Sequence, residues 1–245
     1  MTRRCSVSAL SRHLGTEIVF AGQASTMKLY SYWRSQASYR VRIALHLKAL
    51  KSDVSYLDLI RGDQFNEAYR GLNSGMTVPT LIDGDGPPLI QSLAILEYLE
   101  EAYPHPPLLP SERRARAHVR ALAQLAAVDT HPFVVPRVRH YLTHDLGLNE
   151  LQLGNWLRHW LELGSQAIEH TLVNDPRTGR FCCGDAPTLA DLCLVPHVMT
   201  AKMLVNADIA RFPTVQRIFE TCLELDAFSS TRPAWQPDAP KTAHS

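Results

Sequence analysis

The sequence lacks several features that would point to particular classes of protein. Its five cysteines include no C-x-x-C pair and no paired-knuckle spacing, so neither a zinc ribbon nor a disulfide scaffold is indicated. No stretch approaches the roughly 18–20 apolar residues of a membrane span. The 25 Lys and Arg residues are balanced by 24 Asp and Glu, which argues against the concentrated basic surface of a nucleic-acid-binding protein. We therefore predict a cytoplasmic globular protein that engages neither membranes nor nucleic acid.

The N-terminal segment differs from the rest of the chain. Residues 1–26 contain three arginines and four serines but a single acid, and they show no helical or strand periodicity. We interpret residues 1–26 as a disordered leader or an upstream start, with Met27 as the first residue of the folded protein. An organelle transit peptide is the alternative interpretation of this segment.

The remaining residues divide into two halves of different pattern. From Met27, apolar periodicity predicts the order β-α-β-α-β-β-α, with a last helix that Ser92 caps and Pro104 ends. A segment with four prolines follows and predicts a semi-rigid linker. Beyond it the pattern is helical. We thus predict an α/β domain over residues 27–105 and an all-helical domain over residues 111–235. The helices predicted for the second domain are 112–127, 150–170, 188–205 and 213–225.

Two long motifs in the first half are specific. One reads YSYWRS from Tyr30 and continues as SYRVRIAL from Ser38, and the other is QSLAILEYLEE from Gln91. They occur in that order on either side of a Val-Pro pair that enters a strand. Together they resemble the zeta class of glutathione transferases, which comprises maleylacetoacetate isomerases and bacterial maleylpyruvate isomerases, over about residues 27–235. The resemblance implies an N-terminal thioredoxin-like domain, an all-helical C-terminal domain, and a homodimer.

The resemblance also implies that glutathione is the cofactor and indicates where it binds. Val78 and Pro79 would face its peptide backbone. Gln91 and Ser92 open a helix, where free N–H groups and the helix dipole suit the γ-glutamyl carboxylate; a plain N-cap is the alternative role of Ser92. In the helical half, His131 lies in an Asp-x-His-Pro segment that would contact the cofactor.

The first helix of the family carries the residues next to the sulfur of glutathione. Ser35 matches the first serine of the zeta Ser-Ser-Cys pattern, whereas Gln36 and Ala37 replace its second serine and its cysteine. The hydroxyls of Ser35 and Ser38, with backbone N–H groups, are therefore the predicted thiolate donors. Because Ala37 supplies no protein thiol, the pattern favours an isomerase that uses the thiol of the cofactor. No metal site is predicted.

The substrate that the resemblance implies is a dicarboxylic keto acid, which forked guanidinium groups bind well. Arg34 and Arg40 flank the predicted sulfur site, and Arg40 also enters the predicted catalytic set with Ser35 and Ser38. Arg137 and Arg180, from the helical half, complete the predicted substrate contacts. A salt bridge within the first domain is the alternative role of Arg40.

Three functions remain open from the sequence. The leading one is cis–trans isomerisation of maleylacetoacetate or maleylpyruvate, without a choice between them. The second is a general glutathione transferase that conjugates small electrophiles, whose pocket we expect to be apolar rather than rich in arginine. The third is a non-catalytic protein that binds glutathione.

Overall fold

A computed structural model describes residues 27–241, so the leader predicted for residues 1–26 lies outside the described residues. The first half is built on one sheet of four strands in the order β2-β1-β3-β4. Strands β1 and β2 are parallel, and the other two pairs are antiparallel. The parallel pair requires a crossover, and a helix provides it. The strands are β1 (Met27–Ser31), β2 (Ser52–Tyr56), β3 (Thr80–Ile82) and β4 (Leu89–Ile90).

Three α-helices accompany the sheet: α1 (Gln36–Leu47), α2 (Glu67–Leu72) and α3 (Ser92–Ala102). Helix α1 begins at Gln36, because the Ser35 side chain caps it by accepting the N–H of Ser38. The second helix of the predicted order is a 3-10 turn (Asp63–Phe65) followed by α2. The predicted order of elements is otherwise confirmed.

The second half is helical, and no strand occurs in it within residues 27–241. Helix α7 is its centre, buried along most of its length and packed against α1, α4, α6 and α8. Helix α5 is a short element that the sequence pattern did not predict. No helix in the described part of the chain is long and apolar enough to cross a membrane. The helices are α4 (Arg113–Ala127), α5 (Pro136–His140), α6 (Glu150–Val173), α7 (Leu189–Val205), α8 (Pro213–Leu223) and α9 (Asp226–Ser229).

Capping residues set the starts of the two longest helices. Asn149 and Gln152 form a reciprocal capping box at α6. Thr188 and Asp191 form the equivalent at α7, where the Asp191 carboxylate accepts the N–H of Thr188 at 2.8 Å. The buried Asp191 also accepts the N–H of Cys182 at 2.8 Å. Asp191 is therefore a structural residue of the helical half.

The proline-rich linker is fixed by a buried ion pair at the end of α1. Lys48 Nζ lies 3.1 Å from the Glu100 carboxylate, and both side chains are almost fully inaccessible. The same ammonium donates to the carbonyls of Tyr103 and Pro106 at 2.6 and 2.9 Å. Glu100 in turn accepts two backbone N–H groups of the linker, at 2.8 and 3.1 Å. This network gives the linker a defined path and joins α1 and α3 to the start of the helical half.

Candidate active site

A cavity of about 570 Å³ lies where the first half meets the helices. Its walls come from the N-termini of α1 and α3, the segment before β3, the connection from α4 to α5, and the last turn of α7. Four arginines line the cavity, and no Asp or Glu does so among residues 27–241. Such a lining suits an anionic ligand, because guanidinium groups have no internal carboxylate to neutralise them. The four are Arg34, Arg40, Arg137 and Arg139.

The N-terminus of α3 forms one end of the cavity. Gln91, its N-cap residue, has a φ of 69° and makes no side-chain capping bond, so the first N–H groups of the helix keep no side-chain partner. Ser92 follows and accepts a hydrogen bond from Arg40 Nη1 at 3.1 Å. Val78 and Pro79, joined by a cis peptide bond, line the cavity just before the first paired residue of β3. The arrangement suits a carboxylate at the helix end.

Arg40 is a buried cation without an acidic partner. The residue is 1% exposed, and its Nε and Nη2 atoms have no hydrogen-bond partner within the described chain. Burial lowers the pKa of its guanidinium. The structure contains no carboxylate paired with Arg40 in the described residues, so the alternative expectation of a salt bridge is wrong. A buried cation left in this state is more typical of a functional site than of a stabilising contact.

The N-terminus of α1 forms the centre of the cavity. Ser35 Oγ accepts the N–H of Ser38 at 3.1 Å, so the hydroxyl proton of Ser35 remains to be donated towards the cavity. Gln36 also lines this wall, although it is only 4% exposed. Neither its amide oxygen nor its amide nitrogen finds a partner in the part of the chain that is described. A hydroxyl, a helix N-terminus and an unpaired amide thus meet at one point.

His131 lines the cavity from the 3-10 turn that follows α4. Burial is the main cause that holds its pKa well below the ordinary histidine value, and the charges of Arg40, His197 and Arg137 act in the same direction. The imidazole is therefore neutral at neutral pH and can both donate and accept a hydrogen bond. Arg137, exposed on α5, lies on the same wall.

Two predicted site residues, Ser38 and Arg180, lie outside the cavity lining. Ser38 is fully buried in the first turn of α1, and its hydroxyl has no hydrogen-bond partner in the described chain. Arg180 is 63% exposed on a loop, with its guanidinium 3.9 Å from Glu224. Its carbonyl accepts a hydrogen bond from Arg217 of α8, which ties this loop to α8. The roles of Ser38 and Arg180 in the site stay predictions.

The lining residues that had no role assigned from the sequence include Tyr32, Gln36 and Arg139. Tyr32 ends the strand-like alternation of the first segment, and nothing in that pattern indicates that it borders a cavity. Arg139 stands two residues after Arg137, but its position depends on α5, whose start at Pro136 was the one available signal. Side chains brought to the site by tertiary packing leave little trace in local sequence.

The molecule has the fold and the site of a glutathione transferase. Its first half contains the four-stranded sheet, the first N–H groups of α3 have no side-chain partner, and a serine lies at the N-terminus of α1. The sequence agrees, because residues 34–102 match the glutathione S-transferase N-terminal domain. The chain is 41% identical to a maleylpyruvate isomerase of a Ralstonia species over 213 residues, covering 87% of this chain and all of the relative. It is 42% identical to the maleylacetoacetate isomerase of Pseudomonas aeruginosa over 216 residues, covering 87% and 99%.

A solved structure indicates the same family. The crystal structure of maleylacetoacetate isomerase from Methylobacterium extorquens AM1, with bound malonate and GSH, superposes with a TM-score of 0.85 at 48% identity, covering 87% of this chain and 99% of the other. The chain belongs to the zeta-class glutathione transferases, the family of the maleylacetoacetate and maleylpyruvate isomerases. The family and the fold class predicted from the sequence are confirmed.

Proposed function

We propose that the protein is a glutathione-dependent cis–trans isomerase that converts maleylacetoacetate or maleylpyruvate into the fumaryl isomer. The observation that carries this proposal is the cavity itself, in which four arginines and no acidic residue of the described chain surround the Ser35 hydroxyl. The Methylobacterium relative supports it, since that protein was crystallised with both a small dicarboxylate and GSH.

The residues present fit glutathione. The uncapped N-terminus of α3, with Ser92 and the unpartnered N–H groups of Arg40 behind it, would hold the γ-glutamyl carboxylate. Val78 would face the peptide backbone of the cofactor, and His131 would hydrogen-bond to it from the opposite wall. Because Arg40 donates a hydrogen bond to Ser92, we extend its proposed role from catalysis and substrate binding to the cofactor.

The chemistry needs a thiolate and a place for developing negative charge. When bound, glutathione supplies a thiolate that adds to the alkene, so that the resulting single bond can rotate before the thiolate leaves. The Ser35 hydroxyl would stabilise the thiolate by donating a hydrogen bond to it, assisted by the N–H groups at the start of α1. Arg34 and Arg137 would stabilise the charge that addition places on the keto and carboxylate oxygens.

One observation favours the second candidate function, conjugation of small electrophiles. A continuous apolar surface forms part of the same cavity, and a hydrophobic electrophile would bind there. The arginines disfavour this candidate, because they would remain uncompensated around a neutral substrate. On the helical side of the cavity the apolar residues include Val128, Val134, Val135, Met203 and Leu204.

We also propose a homodimer, a cytoplasmic location and a role in the catabolism of aromatic compounds. Pairing of two copies through a twofold axis is the commonest arrangement of soluble oligomers. A mass of one chain by light scattering at micromolar concentration would overturn the dimer.

The function is tested by assaying maleylacetoacetate, maleylpyruvate and a neutral aryl halide with the same preparation, each with and without glutathione. We expect rapid glutathione-dependent isomerisation of at least one keto acid and slow conjugation of the halide. Conjugation faster than isomerisation would favour the general transferase. No turnover of any substrate would contradict both the isomerase and the transferase as the function.

A further inference from the structure

Arg139 is an unassigned cation in the wall of the cavity. It lies on α5, it is half-buried, and its Nε atom is inaccessible and without a hydrogen-bond partner in the described chain. No ion pair to its guanidinium is found among residues 27–241. An arginine held in a wall by packing, yet paired with nothing inside the protein, is free to bind a ligand through its fork.

Its neighbours make the position more cationic. Arg34 and Arg139 line the same cavity, and burial, the main cause, together with the charge of Arg34 lowers the pKa of the Arg139 guanidinium. Arg34 itself lies over the ring of Trp33, 5.6 Å from the centroid, and has no acidic partner in the described residues. Two like charges in the wall of one cavity, without an acidic partner in the described residues, disfavour the folded state, and an anion bound by both would compensate them.

Tyr32 completes this part of the wall. Its ring centroid is 6.0 Å from that of Trp33, it lines the same cavity, and its hydroxyl interacts electrostatically with Arg34 and Arg139. Desolvation is the main cause that raises the pKa of Tyr32, and the charges of Asp58 and Asp238 act in the same direction, so the phenol keeps its proton and can donate a hydrogen bond. The residues of α7 that line the cavity, Thr200, Met203 and Leu204, are uncharged.

We propose that Arg139, together with Arg34 and the Tyr32 hydroxyl, binds one carboxylate of the substrate and so determines the preference for a dianionic keto acid. This inference rests on the proposed function, because it assigns a subsite within the same cavity. One carboxylate end of the substrate lies against α5, and the carbon chain between its two carboxylates lies along the apolar residues of α7. Arg139 is then a specificity-determining residue that the reaction requires for binding rather than for addition to the alkene.

The test compares Arg139→Gln with wild type and with Arg211→Gln, an exposed arginine outside the cavity that pairs with Glu162. Loss of a charged, forked contact should raise the KM for the keto acid by about 10- to 100-fold, with little change in kcat or in the KM for glutathione. Arg139→Lys should recover only part of the loss, since an ammonium restores the charge but not the fork. Arg211→Gln should match wild type.

A second measurement separates failure of this inference from failure of the proposed function. Calorimetry with malonate on the glutathione-loaded protein needs no turnover, and malonate affinity should fall by the same factor in Arg139→Gln. Equal malonate affinity in wild type and variant, or an effect on kcat and glutathione binding alone, would overturn the inference even in an active isomerase. A wild-type protein that turns over neither keto acid would overturn the function, while the malonate comparison would still decide on Arg139.

Discussion

Two neighbouring buried arginines on α1 should respond to the same substitution in opposite ways. Arg42 donates to the carbonyls of Tyr32, Trp33 and Thr231 and to the Ser31 hydroxyl, at 3.1 to 3.3 Å. Arg40 makes one hydrogen bond, to Ser92, and leaves two buried N–H positions without a partner in the described chain. Burial lowers the pKa of both guanidinium groups, that of Arg42 to about 10. Of the two cations, only Arg42 is compensated by hydrogen-bond acceptors in its surroundings.

The magnitudes follow from these contacts. Arg42→Met should lower the free energy of unfolding by at least about 3 kcal/mol, because several buried acceptors lose a charged donor. Arg40→Met loses one hydrogen bond but also removes an uncompensated buried charge, so the free energy of unfolding should be unchanged or rise by about 1–2 kcal/mol. For a chain of this size, that increase corresponds to a rise in Tm of roughly 2–8 °C.

The assay is thermal and denaturant unfolding of both variants without ligand, followed by turnover and by the shift in Tm with glutathione. Arg40→Met should lose about 30- to 150-fold in kcat/KM, equivalent to about 2–3 kcal/mol, and most of the stabilisation by glutathione. If Arg40→Met destabilised the unliganded protein as much as Arg42→Met, Arg40 would be a structural residue, and the reasoning from its unpaired N–H groups would be refuted.

Three further predictions concern single residues. Ser35→Ala should cost about 1 kcal/mol of stability through the lost cap and raise the pKa of bound glutathione, measured from thiolate absorbance against pH; an unchanged thiol pKa would exclude Ser35 as the donor. Burial lowers the pKa of His197 from 6.5 to about 4. Between about pH 6.5 and 4 the unfolded chain therefore binds a proton at His197 that the folded protein does not bind. The free energy of unfolding should fall by about 3 kcal/mol over that range. His197→Gln should flatten that slope in urea unfolding at several pH values, and an equal slope would contradict it. Lys48→Met should lower the unfolding free energy by about 3–5 kcal/mol by leaving the Glu100 carboxylate buried and unpaired, whereas a loss below about 1 kcal/mol in denaturant unfolding would show that the linker holds without this pair.

The sequence predicted the elements well where local patterns determine them. The start of α7 follows from Thr188 and Asp191, and the order of strands and helices follows from apolar periodicity. Helix α5 was missed because it is five residues long and shows too little periodicity to be recognised. The boundaries 27–105 and 111–235 for the two domains stay predictions.

The sequence predicted those residues of the candidate site that belong to continuous sequence motifs. Ser35, Gln91 and Ser92 belong to continuous motifs and line the cavity. The resemblance implied a substrate contact for Arg180, whereas its loop is bonded to α8 and its side chain lies outside the cavity lining. Within residues 27–241 neither Arg40 nor Arg139 has an acidic partner, and this depends on contacts between distant segments, which no local pattern encodes.

The most direct test of the central claim is the glutathione balance during turnover. The purified protein is given a large molar excess of maleylpyruvate or maleylacetoacetate over glutathione, and both the fumaryl product and free glutathione are quantified at completion. The account predicts many product molecules per glutathione, with all of the glutathione recovered unchanged and no product when glutathione is omitted. Consumption of one glutathione per substrate, or full-rate isomerisation without any thiol, would contradict it.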